Sequence, residues 1–526
     1  MRKLFRYFSV LFSLLAIFVL ASCSNGTDIK GIIETEATRD TIKTFVSFDK
    51  NEKLAESTTT VSVKLYNIDD EYQQVKSVSL ENQAEGEAEF TGLTKDTEYI
   101  IRLWVSVNSY EYEIAKTTQK TSAGGDTADD PIIITTKEEF LEISNDSDAY
   151  YQLGADIDFA DSEGEPTAID LFKSSSSCFK GSFDGKDKDG IVHTIKNFKI
   201  SSATYMGLFG YMKEATVKNL KLEGVTAALN SSKSYSGALS GYAEKCTIEN
   251  VTVDGYTLTS STTSSSIDCY AAGLIGFVKN TSVVDSSVSN FKPTFSQVRS
   301  NLYFGGFIGQ AEGTSKIEGN SANLELSLLL YASGKDMAIG GFIGECATSS
   351  TLKNCLSTGK LEIKRTDYRS NLYIGGFAAR GKVGHCTLDN CAAVVDISIT
   401  AGTEESPVQL SEKLYVGGLV GYVAYTKGIT NSFYVSLNDG IKIISKIDND
   451  TKDNNFISLT IAKNDLVSTV TNVYSFDDKL AVIGISEEEG KTEVKDTVII
   501  NSSITNDLSV LSDLMRDTIK NIKGIE

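Results

Sequence analysis

A short glycine-bracketed apolar motif is written seven times between Met206 and Tyr422, at a spacing close to about 35 residues. The copies are Gly-Leu-Phe-Gly (207–210), Ala-Leu-Ser-Gly (238–241), Gly-Leu-Ile-Gly (273–276), Gly-Phe-Ile-Gly (306–309 and 341–344), Gly-Phe-Ala-Ala (376–379) and Gly-Leu-Val-Gly (418–421). Self-similarity at such a period means stacked units, because one unit cannot bury its own apolar face and must share a core with its neighbours. The second motif position supplies that core: Leu208, Leu239, Leu274, Phe307, Phe342, Phe377 and Leu419. The glycines allow either tight turns or a close backbone approach where a Cβ would clash.

After each motif a second strand is expected, with Asn or Asp at 219, 250, 285, 320, 354, 390 and 431. Residues that return once per coil stack on their copies, and amides in such a ladder can hydrogen-bond along the axis. The segment Arg299–Phe307 returns 70 positions later as Arg369–Phe377, so a two-repeat unit was copied. Beyond residue 435 the pattern blurs, although Thr471-Asn-Val-Tyr-Ser475 echoes Thr430-Asn-Ser-Phe-Tyr434. Leu508, Leu511, Leu514, Met515 and Ile519 have helical spacing, so residues 506–526 are expected to form a helix that caps the last coil's exposed edge.

Ahead of the repeats, residues 28–121 follow a different grammar. Alternating segments such as Thr41–Phe48, Thr59–Tyr66, Val75–Leu80, Glu87–Phe90, Glu98–Val107 and Glu111–Thr118, separated by polar turns, predict a small antiparallel β-sandwich. The stretch Leu93–Leu103 resembles the corner that enters the sixth strand of a fibronectin type III domain, with Tyr99 as the corner tyrosine. Trp104, the chain's one tryptophan, lies on that strand rather than on the family's second strand. Residues 122–131, rich in Gly and Asp and ending in Pro131, read as a linker.

Residues 132–205 carry the most specific family pattern. Ile133–Leu141 resembles a short opening strand and helix; Tyr151–Phe159, Phe179–Gly185 and His193–Phe198 follow in order and run into the first motif. This order resembles the entry region of GLUG-repeat proteins, and the resemblance covers roughly residues 132–435. It implies bacterial surface proteins built on a right-handed parallel β-helix, here residues 132–505, and adds architecture more than activity.

The N-terminus has Arg2, Lys3 and Arg6 before an apolar run, Val10–Leu20, that is too short for an ordinary spanning helix. Leu20-Ala-Ser-Cys23 resembles the lipobox of bacterial lipoproteins, which implies a signal peptide at residues 1–22, cleavage before Cys23, acylation of Cys23 and a tether at 23–27. Ser24 favours the outer membrane by analogy with lipoprotein sorting. Loss of Arg2, Lys3 and Arg6 takes the formal charge from −20 to −23. A chain so acidic repels phosphate backbones, so no nucleic-acid partner is expected, while 41% hydrophobic residues suffice for a large core.

Seven cysteines remain once Cys23 is acylated, an odd number, and they are read as buried small groups rather than disulfides. Cys355 and Cys391 follow Asn354 and Asn390 in adjacent copies and are expected to stack. Neither His193 nor His385 lies near a second histidine, no Cys-x-x-Cys or His-Glu-x-x-His occurs, and neither metal nor cofactor is expected. Asp156, Asp158 and Asp161 read as turn chemistry. Asp184, Asp187 and Asp189 with Gly190 resemble a calcium loop only in part, since its twelfth position is Lys196 rather than Glu.

Tyr235, Tyr270, Tyr303, Tyr373 and Tyr415 all stand three positions before the motif, with Ala338 and Thr204 in the remaining copies. Alternation along a strand suggests that they face outward, as a ladder of rings able to stack on sugars or anchor a protein; the other reading is packing under a loop. The expected whole is an all-β, lipid-anchored envelope protein, a surface adhesin or ligand-binding scaffold whose partners are the membrane and a glycan or host matrix protein. A polysaccharide lyase or hydrolase on the same scaffold, and a purely structural envelope component, are the alternatives.

Overall fold

A computed structural model describes residues 29–483, apart from short internal stretches of which 403–412 and 445–454 are the longest. Cys23, His385 and the proposed capping helix 506–526 lie outside the described residues. The chain divides into two compact units, residues 1–132 and 133–526.

The described residues of the first unit form seven strands: β1 (Gly31–Ala37), β2 (Thr41–Phe48), β3 (Thr59–Asn67), β4 (Tyr72–Val78), β5 (Glu85–Thr91), β6 (Glu98–Val107) and β7 (Tyr110–Lys120). They pair antiparallel in a three-stranded sheet, β1-β2-β5, and a four-stranded sheet, β4-β3-β6-β7. Ile42, Phe90, Val63, Leu65, Ile101, Leu103 and Val105, drawn from both sheets, are buried in one core. The Tyr99 hydroxyl accepts the Thr94 backbone N–H at 3.0 Å and ties the turn entering β6 to that strand.

The second unit is a stacked parallel β-solenoid. One representative coil runs Ser234–Ser236, the motif, Ser240–Glu244, Thr247–Asp254 and Thr257–Ser260. The first strand belongs to one eight-stranded parallel sheet and the second to another, while the last two belong to a 23-stranded wall. We call the two smaller sheets the first and second arms. Between them sits the glycine motif, and its backbone spacing explains its composition. A Cβ at Gly341 would stand 2.1 Å from the Gly376 carbonyl oxygen, and one at Gly376 would stand 2.0 Å from that of Gly418. Neither glycine has a positive φ, so close approach between successive coils, not turn conformation, is what requires them.

Turn conformation is the business of the Asn column instead. Asn219, Asn250, Asp285, Asn354, Asn390 and Asn431 all have φ between 49° and 54°, the left-handed region that Asn and Asp tolerate best after glycine. Some also bond along the axis: Asn250 Nδ2 donates to Asn219 Oδ1 at 3.0 Å, and Asn390 Nδ2 to Asn354 Oδ1 at 2.7 Å. Asn320 departs from the expected column. In that coil Gly319 takes the corner at φ 72°, and Asn320 turns inward, accepting the Ser286 N–H at 2.8 Å and donating to the Val283 carbonyl at 2.9 Å.

The entry region closes the first coil. Thr136 caps the helix Lys137–Leu141 through a reciprocal capping box with Glu139, which aims Phe140 inward. Phe140 is fully buried and packs edge-on against Phe159 and Phe183, beside a stacked Phe179–Phe209 pair at 4.5 Å. At the far end, strands Asn455–Ser458, Ile461–Asn464, Thr469–Ser475 and Leu480–Ile483 continue all three sheets without the glycine motif. Thr471 pairs in register with Thr430, as their echo implies.

Two cysteines depart from the reading as isolated buried groups. Cys346 and Cys386 form a disulfide across adjacent coils, whereas Cys178, Cys246, Cys269, Cys355 and Cys391 are buried and free. Cys346 ends a second-arm strand and Cys386 opens a wall strand of the next coil, so stacking brings together residues 40 apart in sequence.

Candidate functional site

The five tyrosines form a ladder, but it does not face solvent. Tyr235, Tyr270, Tyr303, Tyr373 and Tyr415 are register partners on the first arm and are only 4–9% exposed. Ring centroids lie 4.8 Å apart for Tyr235–Tyr270, 4.9 Å for Tyr270–Tyr303 and 5.0 Å for Tyr373–Tyr415, all nearly coplanar in orientation. The rings leave the main core, since the next residues (Ala271, Phe304, Ile374 and Val416) are fully buried there, but the second arm folds back against the first and covers them. Tyr242 and Phe277 on that arm meet the ladder edge-on, Tyr235 to Tyr242 at 5.5 Å and Tyr270 to Phe277 at 5.4 Å. The result is a second, smaller core between the arms.

The ladder has one more rung than the sequence spacing indicates. Tyr205, not Thr204, pairs with Tyr235 and stacks on it at 5.1 Å, because the first coil is offset by one residue. It also has one interruption, at Ala338. Opposite that gap the second arm carries Gln310, Glu345 and Arg380 in register, where other coils carry Tyr242, Phe277 and Tyr422.

Arg380 fills the space the missing ring leaves. Its guanidinium carbon lies 4.9 Å from the Tyr373 ring centroid and 5.6 Å from that of Tyr303, so the cation is held between two π faces. Its nitrogens donate to Glu345 Oε2 and, at 2.9 Å, to Asp336 Oδ2. Gln310 Nε2 donates to Glu345 Oε1 at 2.8 Å. Glu345 is completely buried and Arg380 is 7% exposed. Burial alone would push the guanidinium's pKa down, but Glu345, Tyr303 and Asp336 raise it above its ordinary value. Burial, with help from Glu345, pushes Tyr303 up to about 12, and burial with Asp268 raises Tyr270 further. Glu345, buried and with both oxygens bonded inside the protein, is not positioned to exchange protons with a substrate.

An Asp–Asn row borders the ladder. Asn301 Nδ2 donates to Asp268 Oδ1 at 2.6 Å, Asn301 Oδ1 accepts the Asp336 N–H at 2.9 Å, and Asn371 Nδ2 donates to Asp336 Oδ1 at 2.9 Å. The alternation of acid and amide spares the stack a row of like charges one coil apart.

At the entry, the three acidic turns behave as the sequence implies. Asp161 Oδ1 accepts the Glu163 and Glu165 N–H groups, and Asp187 Oδ1 accepts those of Asp189 and Ile191 in a hairpin turn with Gly190 at φ 86°. Asp158 accepts from the Ala160 N–H and Asn197 Nδ2. His193, which sequence left without an acidic partner, stands between two: Nδ1 is 3.3 Å from Asp156 Oδ1 and Nε2 is 3.1 Å from Asp187 Oδ2. Among the described residues no group of three or more His, Cys, Asp or Glu is placed to hold a metal ion.

The exposed wall offers the other ordered surface. Thr216, Thr247, Ser282, Lys316, Thr351 and Thr387 form one register column on it, and Lys218, Glu249, Val284, Glu318, Lys353 and Asp389 form the next one facing outward.

Residues 137–255, from the entry helix through the first coils, match the model of a family described as the M26 IgA1-specific metallo-endopeptidase N-terminal region. No curated protein matches the chain. The match spans less than a quarter of the 526 residues.

Proposed function

We propose that this chain is a non-enzymatic binding scaffold of the bacterial envelope, anchored by an acylated Cys23, raised by a fibronectin-like module and presenting its solenoid to a surface ligand. The observation that carries the binding reading is the wall, whose outward hydroxyls and charges repeat at the coil spacing of about 4.8 Å. A ligand with many weak polar contacts along its length matches such a surface better than a small molecule does. Burial of the Glu345–Arg380 network argues against that cluster of carboxylates, cation and aromatic rings serving a polysaccharide-active enzyme.

The match over residues 137–255 favours a protein ligand over a bare glycan, since the family's name ties its members to an immunoglobulin substrate. The test is a binding array of glycans, matrix proteins and IgA1, read with the full mature chain and with a wall variant carrying Glu249→Arg, Lys316→Glu and Lys353→Glu. We expect binding to a glycoprotein that drops at least about tenfold in the variant, because surface charge reversal leaves stability within about 0.5 kcal/mol. A ligand whose affinity ignores the three reversals would move the binding surface off the wall. Palmitate labelling that survives Cys23→Ser would remove the anchor.

A further inference from the structure

The His193 contacts carry a consequence for the first coil. A neutral imidazole has one N–H and one bare lone pair, so it can donate to one carboxylate while its other nitrogen repels the second. Here both ring nitrogens face carboxylate oxygens at hydrogen-bonding distance, 3.3 Å to Asp156 and 3.1 Å to Asp187. Only an imidazolium, with two N–H donors, satisfies both. We infer that His193, Asp156 and Asp187 form a proton-operated clasp, closed when the imidazole is charged, that fastens the loop before Ile157 to the hairpin of residues 184–194.

The two contacts are unequal, which sets the order of opening. Asp187 is held on the hairpin by the N–H groups of Asp189 and Ile191, and its side chain is 15% exposed. Asp156 is 63% exposed and keeps only the Thr194 N–H, at 2.9 Å, when His193 lets go. A neutral His193 therefore keeps its proton on Nε2 and the bond to Asp187, and the Asp156 loop is released. The other charged groups nearby have partners of their own: Asp158 bonds Lys196 and Asn197, and Asp184 bonds Lys218 and Asn219. Lys221 is the register partner of Thr194 on the adjoining wall strand, where Glu223 pairs with Lys196; Lys186 and Lys188 flank Asp187 on the hairpin.

The sign follows directly. The clasped state binds one more proton than the open state, so it gains as pH falls and is lost as pH rises. Asp187 does not undo this at mildly acidic pH, because the Ile191 N–H, then His193, hold its carboxyl below the ordinary range.

The experiment uses the full chain with 15N-labelled histidine, His385→Gln serving to assign the two rings, from about pH 5 to about pH 9. The expected result is a doubly protonated His193 at the acid end, an Nε2–H tautomer at the basic end, and amide-exchange protection of residues 154–158 that falls at least about threefold through that titration, after correction for intrinsic rates. Protection of residues 187–191 should hold. Asp156→Asn keeps an oxygen for Thr194 but removes the charge, and should abolish the pH dependence of protection at residues 154–158. A ring that is neutral wherever the chain is folded, an Nδ1–H tautomer, or loop protection that ignores the titration would each overturn the clasp.

Discussion

Arg380 shows how one residue repairs a defect in a repeat. A ladder of rings stacked about 5 Å apart loses a rung at Ala338, and a hole of that size in a packed core is costly. The flat guanidinium substitutes for the ring, and Glu345 and Asp336 offset its burial. Arg380→Ala should destabilise the solenoid by about 3–5 kcal/mol, because it removes the guanidinium that offsets the burial of the Glu345 carboxylate; urea denaturation measures it. Replacing Arg380 and Glu345 together by Met and Leu should cost less than the single change. The tyrosines make a second prediction. Tyr211 and Tyr303 are pushed up to about 12 by burial, so their neutral forms stabilise the fold fully below the ordinary phenol value near 10. That stability is lost as pH rises from about 10 through about 12. Phenolate absorbance should therefore climb in two stages, the second coinciding with loss of β-sheet circular dichroism.

At the scale of the element, the corners and the entry helix fix the coil's shape. Asn354 holds φ at 54°, which an alanine reaches only at about 1–2 kcal/mol. Asn354→Ala should lower stability by that amount plus the bond from Asn390, whereas Asn354→Gly should keep most of it; paired melting curves separate conformation from hydrogen bonding. The seven Asn and Asp positions were legible in sequence, but their role was not. Period alone cannot tell a ladder from a left-handed corner, and only the Gly319–Asn320 slip reveals that the corner is what the position demands. Phe140 belongs here too: as the plug of the entry coil it is fully buried among aromatic rings, and Phe140→Ala should cost about 3–5 kcal/mol.

Across the whole molecule, stability is a sum over neighbouring coils, so cross-links between coils matter most. The Cys346–Cys386 bridge joins residues 40 apart, for which loop-closure entropy gives about 4 kcal/mol. Reduction, or Cys346→Ser, should lower the melting temperature of the solenoid and leave that of an isolated fragment 1–132 unchanged. The two units each have their own core, so residues 133–526 expressed alone should keep the wild-type unfolding midpoint of the solenoid.

The all-β class, the stacking of coils and six strands of the N-terminal unit were determined by the sequence, because period and alternation are local patterns that survive without coordinates; the strand Gly31–Ala37 was not among them. The inward turn of the tyrosines, the Arg380 insertion, the Cys346–Cys386 pair and the His193 clasp were decided by tertiary structure. Each depends on which residue of another strand or coil arrives opposite, and that is set by the fold-back of the second arm and by one-residue offsets in coil length. A glycine motif read along the chain gives the rise from coil to coil. Where a side chain points within the coil depends on the backbone contact those glycines permit.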